Sequence, residues 1–391
     1  MSNENRVTLP ERPNLRHLKD QAKDLFRSGG APSLTDAQFQ IARRYGFASW
    51  PKLKQHVESL EELGQLKQAI NRNDLAGVQR LMTRNPELHR APLGYAKNGP
   101  LTWVAECRVP WGPPTPERLA MARWMIENGS DVHQGGDGPL MRAALNGMRI
   151  PMMELLVQHG ADVNADWNRQ GFPVLFAPCE TVDPVSLQWL LEHGAKPAGA
   201  LDYLIGSYVR SEELATCIDI LIAAGATTRY DRPGVLDILR GRPDLLAAQL
   251  DADPKLVHRR FPELDFGASG ARRLVLSGAT LLHVAAEYGA TESARVLLAR
   301  GASANDRGLE GQTPIFHAVT QREDGGLAMT ALLIGAGADL SVRAKLPGHY
   351  ERLDEVVDCT PLGYALRFPG KDFPGSNART IALLREHGAP E

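Results

Sequence analysis

Hydrophobic positions along this chain fall in short runs at helical spacing, and each run stops on a glycine: LAMARWMIENG at Gly129, MELLVQHG at Gly160, VSLQWLLEHG at Gly194. The same stop returns at Gly225, Gly301, Gly337 and Gly388, with steps of 31, 34, 31, 76, 36 and 51 residues. A glycine in the left-handed conformation ends a helix, and the Ala-Asp that often follows it opens a turn. The step of 76 holds two periods and an insertion; its hidden unit, GRPDLLAAQLDADPKLV, echoes NDLAGVQRLMTRNPELH near the start of the series. A second phrase precedes most stops: GPLTWVA from Gly99, GPLMRAALNG from Gly138, TLLHVAAEYG from Thr280, TPIFHAV from Thr313 and TPLGYAL from Thr360. Thr or Gly before Pro is a helix start, since Thr can accept from the orphan amides and Pro fits the first turn. Each unit is therefore predicted to be two short helices and an extended turn. Nine units result, at about 64–92, 98–133, 137–164, 170–198, 199–229, 233–259, 277–305, 311–342 and 358–390.

The first sixty residues follow no such period. Apolar spacing predicts helices around LRHLKDQAKDLFRSGG and LTDAQFQIARRYGFASWPKLKQHVESLEELG, broken at Gly29-Gly30 and Ala48-Ser49-Trp50-Pro51. The expected organisation is an N-terminal helical leader, residues 1–63, that caps an array over 64–391. Insertions near 108–118, 259–276 and 343–357 depart from the period. Leu15, Leu18, Leu25, Ile41, Phe47 and Trp50 are expected to dock the leader on the first repeat.

The phrase TPLHxAAxxG, followed by an apolar LL run and GADVN at a spacing near 33, resembles the ankyrin repeat, most closely in TLLHVAAEYGATESARVLLARGASAN from Thr280. The resemblance implies an all-α ankyrin-repeat solenoid of about nine helix-turn-helix units with an N-terminal helical cap. It also implies a concave side, built from turn tips and first helices, that binds other proteins. His283 holds the consensus histidine, which in the family hydrogen-bonds between units. The leader motif AQxxIARxYGFxSWPxLKxHV resembles a segment of bacterial ankyrin-repeat proteins, so a bacterial source is expected.

Composition narrows the partner. Forty-four basic and 46 acidic residues leave a net charge of -2, so no global field recruits nucleic acid or anionic lipid. The leader holds eight Lys/Arg against three Asp/Glu over 14–54, which is read as a solvated capping face. No signal-peptide core and no apolar run of about 18 residues is present. The expectation is a cytoplasmic monomer, with neither nucleic acid nor membrane as partner. Cys107, Cys179, Cys217 and Cys359 form no CxxC pair, so buried free thiols are expected, with no metal and no cofactor.

Candidate binding residues come from the outward positions of the first helices and from the insertions. Trp103, Phe176, Glu287, Tyr288, His317, Gln321, Tyr364 and Arg367 are outward by register, and Trp111 lies among prolines in the first insertion. His317 is one place off the consensus histidine, with Phe316 in the slot, and that shift is expected to turn its ring into the groove. The third insertion brings Arg343, Lys345, His349, Tyr350 and Arg352, expected to fold back across the last units and grip an anionic group. No phosphate loop, GxSxG or HExxH motif is present. The preferred reading is a non-enzymatic scaffold that binds another protein through the groove and the inserted loops. The alternative is an enzyme or sensor for an anionic small molecule or sugar in a C-terminal pocket, where a carboxylate and a histidine among Glu287, His317, His349, Glu351 and Asp358 would do acid-base work on a ligand held by Arg343 and Arg352.

Overall fold

The structure is a computed structural model that describes residues 7–10, 13–93, 98–136, 138–166, 171–207, 209–264, 276–347, 355–367 and 377–391. The chain divides into two compact units, residues 1–139 with 154–161, and residues 140–153 with 162–391.

In the first unit, α1 (Leu15–Arg27), α2 (Leu34–Arg44) and α3 (Trp50–Asn71) form the leader, each opened by a polar N-cap, Asn14, Ser33 or Ser49, that accepts from first-turn amides. The residues expected to cover the first repeat close a core of their own instead. Leu18, Ala22, Ala37, Ile41, Leu53 and Val57 are buried together, and Leu15, Leu25, Phe47 and Trp50 pack around them. Three amphipathic helices can satisfy one another's apolar stripes, so no outside surface is required. Helix α3 then runs unbroken through residue 64, and Leu66, Ala69 and Ile70 near its end are buried against α4 (Leu75–Arg84) as the first repeat pair. The pair α5 (Pro100–Ala105) and α6 (Pro116–Glu127) follows, with α5 packed on α3 and α6 on α4.

The division between units runs through the third pair, α7 (Gly138–Ala143) and α8 (Ile150–Gln158). The second unit continues with α9 (Phe176–Thr181) and α10 (Pro184–Glu192), α11 (Ala200–Gly206) and α12 (Leu214–Ala223), then α13 (Val235–Leu239) and α14 (Pro243–Ala252). After these come α15 (Leu281–Glu287) and α16 (Thr291–Ala299), and α17 (Pro314–Ala318) and α18 (Leu327–Gly335). The last pair is α19 (Pro361–Arg367) and α20 (Ala378–Glu386). Nine helix pairs are thus found among the described residues, one for each predicted unit, and the fold class is all-α of the repeat-solenoid kind. First helices pack on first helices (α9 on α11, α13 on α15, α15 on α17, α17 on α19), and second helices form a parallel row (α10 on α12, then α14 through α20). The second row buries Leu187, Leu221, Leu250, Leu297, Leu333 and Leu384, which a single pair could not cover.

All seven glycine stops are left-handed, with φ between +72 and +113. The amide after the glycine donates back to the carbonyl five residues earlier, as Ala161 does to Leu156 and Ala302 to Leu297, both at 3.0 Å. Asn164 and Asn305 then tie neighbouring turns. The side chain of Asn305 donates to the Gly337 carbonyl at 2.9 Å and accepts from the Asp339 amide at 2.7 Å, and Asn164 does the same with Gly194 and Lys196. His283 accepts from the Thr280 amide at Nδ1, so its Nε2 carries the hydrogen that faces the Gln312 carbonyl at 3.3 Å in the next pair. That is the inter-unit role the resemblance implies for it.

The only paired strands among the described residues belong to the third insertion. There β1 (Ala344–Pro347) runs antiparallel to β2 (Val356–Cys359), pairing Ala344 with Cys359 and Leu346 with Val357. The second insertion differs. It is closed by a bridge between Phe261 and Ala279, while residues 265–275 lie outside the described residues.

Candidate functional site

The sequence grouped Glu287, Tyr288, His317 and Gln321 on an open groove. The structure brings these four together, but as an interior network in the second unit. Glu287 and His317 are both fully buried, with His317 Nδ1 2.7 Å from Glu287 Oε2. The expected turn of His317 into the groove does not occur, because the glutamate of the preceding unit captures the displaced ring at the α15–α17 junction. Gln321 Nε2 donates to the backbone carbonyls of Glu287 at 2.8 Å and His317 at 2.9 Å. The fifth participant, Arg210 from the loop after α11, was not anticipated. Its Nη2 donates to Glu287 Oε1 at 3.3 Å, its Nη1 donates to the Ser207 and Val209 carbonyls, and its guanidinium lies 4.3 Å from the centre of the Tyr288 ring. The Tyr288 hydroxyl donates to the Ile205 carbonyl at 2.7 Å. A fully buried carboxylate held between a guanidinium and a fully buried imidazole is a clamp, since a substrate cannot reach the carboxylate or the imidazole.

The remaining candidates are dispersed. Tyr364 is buried, with its ring 6.1 Å from Phe316. On the hairpin, Arg343 is exposed and bonded to Asp358 through Nε at 3.0 Å, and Lys345 is exposed on the same strand. Arg367, at the end of α19, pairs with Glu355 at 3.7 Å. Arg343 and Arg367 thus already have carboxylate partners. His349, Tyr350, Glu351 and Arg352 lie outside the described residues. In the first unit, Trp103 donates to Asn71 at 2.9 Å beneath the Lys67 ammonium. Trp111 is 62% exposed on the proline finger, whose base is fixed by Arg118 donating to the Ile70 and Val109 carbonyls, both at 2.8 Å.

The open site lies elsewhere in the first-helix row of the second unit. Between α9 and α11 is a cavity of about 420 Å³, lined by Phe176, Glu180, Gly199, Asp202, Tyr203, Gly206, Ser207 and Arg229. Its wall is aromatic. Phe176 and Tyr203 stack at 4.4 Å, and Phe172 meets both edge-on, at 5.5 and 5.2 Å. Two glycines make room: Gly206 has no neighbour within 4 Å of where a Cβ would stand, and Gly199 takes φ +74. Asp202 accepts from the Thr228 hydroxyl at 2.5 Å and the Arg229 amide at 3.2 Å, and it pairs with the Arg229 guanidinium at 3.9 Å. Glu180 is half-buried. Its carboxylate has no hydrogen bond or ion pair among the described residues, and burial raises its pKa above the ordinary glutamate value, an effect that Arg142 opposes.

Sequence reasoning named Phe176 but missed Glu180, Tyr203 and Arg210. Register could have found Glu180, which stands 14 residues before Gly194 as Glu287 stands 14 before Gly301. Tyr203 and Arg210 belong to the fifth unit, which lacks an opening phrase from which to count. Among the described residues no helix is long and apolar enough to cross a membrane, and no group of three His, Cys, Asp or Glu could hold a metal ion. The Ankyrin repeat family model matches residues 135–168 and 277–309, the segments that contain Asn164 and Asn305. No curated protein matches the chain. Left-handed glycine stops, asparagine ties between turns, the inter-unit histidine and the two family matches agree, and the chain is an ankyrin-repeat protein.

Proposed function

We propose that this protein is a non-enzymatic binding module whose partner is another protein, taken on the first-helix row of residues 162–391. Ankyrin repeats are generally protein–protein interaction modules. The observation that carries the reading here is the contrast between the sealed Glu287–His317 pair and the open aromatic cavity in the same helix row. The groups best suited to acid-base chemistry are shut away, whereas the accessible ones suit side-chain recognition, with aromatic anchors beside charged groups. In this reading the chain acts in the cytoplasm of a bacterium as a monomer, and residues 1–63 cap the array. The exposed Arg343, Lys345 and Arg367 extend the contact surface, and the exposed Trp111 of the first unit is a contact point of its own.

The test is site-specific photo-cross-linking in native extract. A photoreactive residue at position 176, 203 or 367, in first helices, is expected to give discrete protein adducts. The same residue at 185, 219 or 295, exposed on second helices, is expected to give none. Equal adducts from both rows, or none from the first, would overturn the proposal.

A further inference from the structure

The cavity between α9 and α11 sets a carboxylate without a protein hydrogen-bond partner beside two aromatic rings, and this pairing specifies the charge of what fits. We propose that the cavity seats a cationic side chain, arginine or lysine, of the partner protein; the inference rests on the protein-binding reading and gives it a chemistry.

Three observations carry it. First, Glu180 is drawn partly out of water with no protein donor to accept from; burial outweighs the opposing charge of Arg142, which makes no hydrogen bond or ion pair with it, so an arriving donor is favoured. Second, the cation in the cavity lining is already engaged: Arg229 pairs with Asp202 and its Nη2 donates to the Tyr230 hydroxyl at 2.5 Å. The charged lining residues are Glu180, Asp202 and Arg229, two acids and one base, so the cavity has a formal charge of -1. An anionic group would meet the wrong sign, and a purely apolar one would leave the carboxylate unpaired. Third, the Phe176 and Tyr203 rings, backed edge-on by Phe172, offer ring surface to an alkyl stem and to a guanidinium or ammonium head, a contact that strengthens where water is excluded. Arginine is the better fit, since its plane can stack on a ring while its edge donates two hydrogen bonds to Glu180.

The experiment titrates the full-length protein with the blocked pentapeptide acetyl-Ala-Ala-Arg-Ala-Ala-amide, its lysine counterpart and its citrulline counterpart, the last being a neutral near-isostere of arginine. Free arginine amide is a further arm that separates a peptide side chain from a small dissolved cation. The arginine and lysine peptides are expected to bind, with citrulline weaker by about tenfold or more. Glu180→Gln should abolish the preference for charge without lowering the melting temperature, and Tyr203→Leu should weaken the arginine peptide several-fold. Equal affinity for arginine and citrulline, an unchanged preference in Glu180→Gln, or no arginine-peptide binding at about 10 mM would overturn the proposal. Tighter binding of free arginine amide than of the peptide would assign the site to a small molecule and would also overturn it. Cross-links at 176 and 203 that persist when charge preference fails would leave the module reading standing. Peptide binding without any cross-linked protein would leave the cavity's preference for charge standing but overturn the module reading, and with it the assignment to a partner protein.

Discussion

The α15–α17 and α9–α11 junctions occupy the same helix row, and each presents a glutamate at the same distance from its glycine stop. At the first, the next helix offers His317 and the loop after α11 offers Arg210, so Glu287 is fully enclosed. At the second, the next helix offers Gly206 and Ser207, whose hydroxyl donates at 3.0 Å to the Glu180 backbone carbonyl and leaves the carboxylate open. Whether a repeat position becomes core or site is decided by the neighbouring unit, which either supplies a partner or withholds one. Helix α13 is only five residues long, against seven in α15, and Arg210 and Tyr288 reach across the shortened unit to join α11 with α15.

The largest effect that can break this comparison is loss of the enclosed carboxylate. Glu287→Ala should cost about 3–5 kcal/mol, because it leaves Arg210 and His317 in the interior without their shared partner. Glu180→Ala should stay within about 0.5 kcal/mol, as no native bond to that carboxylate is lost. Denaturant unfolding of both variants measures the difference, and equal costs would erase the distinction between the junctions.

The next effect is one of pH. Burial, and then the charge of His317, pushes the His283 pKa down to about 3, so the ring is neutral in the native state. The unfolded chain binds this proton near pH 6.5 and the folded chain does not, so the stabilising contribution is present above 6.5 and is lost as pH falls towards 3. Between pH 6.5 and 5 the loss from His283 alone should approach about 2 kcal/mol. Unfolding of His283→Asn at the two pH values should show that much less dependence; an unchanged slope would mean the ring is already protonated in the fold.

Smaller still are the glycine effects that shape the cavity. Gly206→Ala should stabilise by about 0.4–1 kcal/mol, since its Cβ meets empty space and the helical conformation suits alanine. Gly199→Ala should destabilise by more than about 1 kcal/mol because of its positive φ. A thermal melt distinguishes them by sign. The smallest effect is a near absence of reaction. Cys179, beside Glu180 on α9 but facing the core, is fully buried with its thiol pKa pushed far up, and burial pushes Cys217 up to about 12 and Cys359 up to about 11. A disulfide reagent near pH 8 should therefore react slowly with the native protein and titrate four thiols after unfolding. Fast native reaction at Cys179 would mean that the cavity extends through the helix.

The repeat architecture was legible because its signal is local: a glycine stop needs only its own backbone conformation, and all seven read from the sequence are left-handed. The opening phrases were equally local, and Thr280 with His283 behaves as its consensus implies. The site was not legible, because its character depends on what a neighbouring unit places opposite. His317 is turned inward by Glu287, thirty residues earlier in the chain. Arg210 acts on a residue 77 positions away from a loop with no periodic marker. Gly64, taken as the start of the first unit, lies inside a continuous helix with no neighbour within 4 Å of its Cβ position, so it is an exposed glycine that the helix tolerates.

That uninterrupted α3 has a mechanical consequence. Its 22 residues make a rod about 33 Å long, with one end built into the leader's three-helix core and the other into the first repeat. A linker would let the two ends diffuse independently, whereas a rod makes them move together and unfold together. A load or ligand applied to the leader is therefore felt as torque on the first repeat, and fraying at this end of the chain must break two cores at once.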